Sequence, residues 1–152
     1  MGKKSKIPSE GKGLILLGFS LILLLSLLSF HMQEHNKNWL GLIGWGMGFV
    51  FNYLFGLSSY LIIAFLGWLG WQWLLSREVP TLITKSIYFG IFLLSCSLIL
   101  NLAAELGLPV GSFLEHRIYS ETHVFDLPYP HRFTRYNLGG VPIYYLWRRS
   151  GT

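Results

Sequence analysis

Apolar positions in this chain fall into long unbroken blocks divided by short polar stretches, with neither helical nor strand periodicity running through the blocks. The blocks are Gly13 to Phe30, Trp39 to Leu75 and Ser86 to Ala104. A helix crosses a hydrocarbon core about 30 Å thick with about 20 apolar residues, so the first and third blocks each predict one membrane-spanning helix. The second is too long for that. As one straight helix rising 1.5 Å per residue it would reach about 55 Å.

Two arrangements fit the long block. Either it turns near Gly56-Leu57-Ser58-Ser59 and crosses twice, or its glycine-rich first part lies in the interface or packs obliquely before a span from about Leu57 to Leu75. Charge selects between them. Lys3, Lys4, Lys6 and Lys12 precede the first block and Arg77 and Lys85 follow the second, whereas the loop between them carries only Lys37. Basic loops stay in the cytoplasm, so one crossing, which puts both basic segments inside, is expected.

The fold expected is therefore all-α, a polytopic helical membrane domain with about three spans. A cytoplasmic basic tail, 1–12, leads into a helical membrane region, 13–104, with spans at about 13–30, 55–75 and 86–104. Residues 105–152 form an external loop and a truncated last apolar stretch. Within that loop Phe113, Ile118, Tyr119, Val124 and Phe125 suggest a short amphipathic helix on the membrane surface. The stretch after Gly139-Gly140 meets Arg148 and Arg149 too soon to span, and reads as the start of a possible fourth-span region.

Composition agrees with the blocks: of 152 residues 52% are hydrophobic and only 12% charged, about half the charge of an ordinary soluble domain. The first block exceeds a signal peptide's apolar core and lacks a small-residue cleavage site, so an uncleaved span is expected. Lys6 stands where a myristoylation motif requires Ser or Thr. Lys3, Lys4, Lys6 and Lys12 form one short basic cluster and Arg148 and Arg149 another, with no basic stripe interleaved with aromatics, so the net charge of +5 does not suggest direct nucleic-acid contact. Cys96, the single cysteine, sits within an apolar run as a packing residue.

Little chemistry is written in the side chains. No phosphate-binding loop, nucleophile elbow, zinc-protease motif or cysteine pair occurs, so no catalytic, cofactor-binding or metal-binding residue is expected. His31 and His35, four apart with Glu34 between, would share a helix face as a metal pair but lack further ligands, and Glu115, His116, His123, Asp126 and His131 match no ligand spacing, so both groups read as loop polarity. Inside the spans the strongest polar groups are the neutral Asn52, Gln72 and Asn101, which argues against a proton or ion pump. Trp68, Trp71 and Trp73 gather before Arg77 as an interfacial aromatic belt. Gly44, Gly48, Asn52 and Gly56 recur every fourth residue, which gives a helix a narrow face for close packing, internal or between copies.

A Lys-rich tail, a Leu-rich span ending in Leu28-Ser29-Phe30, Trp39 in a polar loop, Gly41-Leu42-Ile43-Gly44, and Phe55-Gly56-Leu57-Ser58-Ser59-Tyr60-Leu61 together carry a resemblance. With Asn137-Leu138-Gly139-Gly140-Val141-Pro142, this pattern resembles the N-terminal membrane domain of the FtsK/SpoIIIE DNA translocases. The resemblance implies an anchor in the bacterial inner membrane, at the division septum. It would serve a hexameric ATP-driven DNA pump whose motor lies downstream, and would meet lipid, further copies of itself and cell-division proteins. A small transporter or channel subunit is the alternative, motivated by the over-long glycine-rich block. A membrane enzyme using the histidine-bearing external loop ranks last.

Overall fold

The computed structural model describes residues 8–32, 34–77, 79–106, 114, 117–124 and 132–150. Helix α1 (Ser9–Leu28) is followed by a 3-10 turn (His35–Lys37), α2 (Gly41–Phe55), a second 3-10 turn (Gly56–Ser58), α3 (Ser59–Leu74) and α4 (Leu82–Glu105). Strands β1 (Ser120–Val124) and β2 (Arg132–Tyr136) and helix α5 (Val141–Ser150) complete the order. Among the described residues three helical stretches are long and apolar enough to cross a membrane: Ser9–Leu28, Gly41–Leu74 taken as one, and Leu82–Ala104.

Helices α1 and α3 lie antiparallel because glycines let their backbones touch. A side chain at Gly13 would collide with the backbone of Gly70 and Leu74, and one at Gly70 would meet Leu17. Farther along, Gly67 faces Ser20, and Ile63 packs with Leu23 and Leu27. Against α3, α4 then runs antiparallel, with Phe89 stacked on Phe65 at 4.2 Å and the Lys85 ammonium 5.9 Å from the Trp68 ring. The Ser97 hydroxyl meets that of Ser58 at 2.9 Å.

The long second block makes one net traverse of α1. It starts at the C-terminal end of α1, where the Asn38 amide donates to Ser26 O (3.1 Å) and the Trp45 indole to His31 O (2.9 Å). It ends at the N-terminal end of α1, where the Ser76 hydroxyl donates to the Glu10 carboxylate at 3.0 Å. Only the last turns of α1 meet α2: Gly48 lies on Ser26 and Phe30, while Met47 and Phe51 cover Leu23 and Leu27. A break at Gly56, where φ is +53°, separates this crossing helix from the returning α3.

Burial is inverted relative to a soluble domain. Ile15 and Ile83 expose 65% and 77% of their surface, while Ser26, Ser59 and Ser97 are wholly buried and Asn52 and Asn101 nearly so. Hydrocarbon solvates the first set and would not solvate the second, so apolar side chains face outward while Ser59, Ser97, Asn52 and Asn101 hydrogen-bond within the protein.

The segment after α4 differs from the amphipathic helix expected across Ile118, Tyr119 and Val124. Ser120–Val124 instead pairs antiparallel with Arg132–Tyr136, Ser120 opposite Tyr136 and Val124 opposite Arg132. Thr122, Val124, Phe133, Thr134 and Tyr136 favour extended backbone, and a distant partner strand overrode the short-range apolar spacing. Phe113 and Phe125 lie outside the described residues.

Candidate functional site: a polar clasp at the helix break

The break at Gly56 creates the site. With Gly56 in a left-handed conformation, the Leu57 amide turns away from its helical acceptor and donates instead to Leu138 O at 2.8 Å. Residues Asn137 to Gly140 thereby enter the helical bundle from the far side of the hairpin. The fit is backbone against backbone. A side chain at Gly56 would strike Leu138 O, one at Gly139 would strike Ser97 O, and one at Gly140 would strike Leu54 O. Gly140 also holds φ at +93°, which a side chain disfavours.

Two buried asparagines grip this region from different helices. On α4, Asn101 accepts from the Gly139 amide at 3.2 Å and donates to Gly140 O at 3.3 Å. On α2, Asn52 accepts from the Tyr119 amide at 2.9 Å and donates to Arg117 O at 2.6 Å. Each carboxamide offers one acceptor and two donors, so one side chain satisfies both an N–H and a C=O that hydrocarbon would leave unpaired. The hairpin's two feet are joined directly, since the Asn137 amide donates to Tyr119 O at 3.0 Å.

The four-spaced face of α2 is filled from within the chain. Gly44 lies against Asn38 and Leu40, Gly48 against Ser26 and Phe30, Asn52 against Arg117 and Tyr119, and Gly56 against Asn137 and Leu138. All four are buried, so that face holds no room for a second copy. Beside it Trp45, Phe49, Tyr53 and Tyr119 form a row of rings 5.1 to 6.0 Å apart that seats the hairpin's first foot.

An apolar groove of about 630 Å³ between α1 and α3 is lined by Leu14, Gly18, Leu21, Leu24, Ile63 and Gly67, among others, and lacks a charged group. Among the described residues no three His, Cys, Asp or Glu side chains gather to hold a metal. Glu115, His116, Asp126 and His131 lie outside the described residues, and His123 falls within β1. At the other end of the bundle, Trp68 and Trp71 are partly exposed on α3, near where its last turn meets the start of α1.

Sequence inspection found Asn52 and the Gly139-Gly140 pair but not what joins them. Asn101 read as one neutral amide among apolar residues. Its partners lie nearly forty residues away, so only the pairing of a buried amide with a glycine turn could have suggested the clasp.

Residues 5–112 match the family model described as the 4TM region of DNA translocase FtsK/SpoIIIE. Two curated proteins named DNA translocase FtsK are similar along 125 residues, or 81% of this chain. They are 33% identical in Chlamydia muridarum and 34% in Chlamydia trachomatis serovar D. A third of that name, from Chlamydia pneumoniae, is 26% identical over 142 residues, 93% of this chain. The chain spans only 15 to 17% of the length of these relatives. No solved structure matches it.

Proposed function

Because the chain belongs to the family of the 4TM membrane region of the FtsK/SpoIIIE DNA translocases, we propose that it anchors such a translocase in the bacterial inner membrane. The observation that carries this reading is the matched region: the similarity falls on the membrane-spanning helices, in relatives more than five times as long as this chain. The motor, its DNA substrate and ATP hydrolysis belong to the rest of such a protein. This segment supplies the bilayer attachment and the site of assembly.

The N-terminus is cytoplasmic in this reading. Lys12 lies in the first turn of α1, and Arg77 and Lys85 flank the connection from α3 to α4 at the same end of the bundle, as the positive-inside rule requires. The hairpin then faces the exterior, where it is available to cell-division proteins. Copies assemble through surfaces other than the filled face of α2, and lipid covers the remaining apolar exterior.

Localisation tests the anchor. A fluorescent protein fused to residues 1–152 should concentrate at the septum in dividing cells, and a uniform distribution over the envelope would remove the septal part of the proposal. The transport reading was motivated by the broken helix, but Leu138 and Gly140 occupy that break. Substrate-dependent flux in proteoliposomes would restore it.

A further inference from the structure

We propose that the Asn52 clasp, the Asn101 clasp and the Gly56 break form one cooperative latch, which opens as a unit and so couples the external hairpin to the junction of α2 and α3. The clasps have no side chain in common, yet they meet through backbone. Asn52 holds Arg117 and Tyr119, Tyr119 accepts from Asn137, and Asn101 holds Gly139 and Gly140. Leu138, between Asn137 and Gly139, supplies the acceptor that replaces the broken helical bond of Leu57.

Release at one point strips partners from the others. Should Asn101 let go, Gly139 withdraws from Ser97 and carries Leu138 O away from the Leu57 amide, which then lacks a partner at a depth where water is scarce. Should Asn52 let go, Tyr119 loosens its hold on Asn137, and the same segment is freed from the other side. The main-chain groups named here supply one another's partners, and such a network is worth more than the sum of its single bonds. Coupling between the ends is reciprocal: a ligand that shifts the hairpin biases the helix break, and a movement of α3 biases the hairpin.

Hydrogen exchange on the full chain in nanodiscs reads the latch directly. In the unaltered protein the amides of Leu57, Tyr119 and Gly139 should share one opening, with protection factors within about threefold of one another. Asn101→Leu should raise exchange at Leu57 and Tyr119, neither of which touches Asn101, by about tenfold or more, and Asn52→Leu should do the same at Leu57 and Gly139. Amides of α1 and α3 around Leu23 and Gly67 should keep their protection, which reports an intact bundle. A rise confined to the residues each asparagine bonds would overturn the proposal. If a variant does not fold, protection in the unaltered protein decides, since values spread over more than about tenfold would equally overturn it.

Discussion

Three glycines at the clasp sit where a methyl group has nowhere to go. Gly56 and Gly140 hold φ at +53° and +93°, and an added carbon on Gly56, Gly139 or Gly140 would collide with a carbonyl of another segment. Gly139→Ala should therefore lower stability by about 2 kcal/mol or more, combining steric collision with loss of the Asn101 bond. Gly46→Ala, in open space on α2, should leave it unchanged. Thermal unfolding of both variants in one detergent gives the comparison, and equal midpoints would mean that the loop yields to the added methyl. Asn52→Ala removes both of that side chain's bonds and should cost about 1–3 kcal/mol, read by the same measurement.

The elements differ in how plainly the sequence announced them. Helices α1 and α4 were legible from block length alone, because lipid demands apolar side chains at almost every position of a span. The break was legible too, since Gly56 with two serines after it interrupts an apolar run that no single crossing accommodates. The hairpin was not legible. Ile118, Tyr119 and Val124 fit a helix face as well as a strand, and the choice lay with Arg132–Tyr136, beyond any local window. The clasps were hidden for the same reason, as an asparagine in an apolar helix declares a need for a partner without naming it. At the α1 and α3 contact, Gly70→Leu should push the helices apart, because Leu17 and the Gly13 carbonyl occupy the space. A cysteine pair at Leu23 and Ile63 in a Cys96→Ser background should cross-link readily in the parent and at least about tenfold more slowly in that variant, and an unchanged rate would refute the close approach.

Over the whole molecule, three helices stand side by side with α3 in the middle, and each crossing reverses the direction of the one before. The ends of that arrangement differ. One carries Glu10, Ser76, Arg77 and Lys85, and the other carries the 3-10 turn at His35–Lys37 and the hairpin. Single cysteines at Ser5, Asn36, Ser76 and Ser120 in a Cys96→Ser background, exposed to an impermeant thiol reagent in intact cells, should label only at Asn36 and Ser120. Labelling at Asn36 and Ser76 with Ser5 and Ser120 protected would mean that 39–75 crosses twice and would withdraw the outward placement of the hairpin, whereas labelling at Ser5 and Ser76 alone would withdraw the cytoplasmic N-terminus.

Asn52 and Asn101 recognise main-chain amides and carbonyls, so they are indifferent to most of what the hairpin displays. Tyr119 and Asn137 stand side by side, joined by one backbone bond, and the strands begin and end just beyond them. The segment between these residues is therefore an exchangeable cassette. A foreign hairpin of matching foot separation, grafted there, should leave the bundle's melting temperature unaltered while replacing every side chain the hairpin displays, which leaves that surface free to diversify on a frame that stays the same.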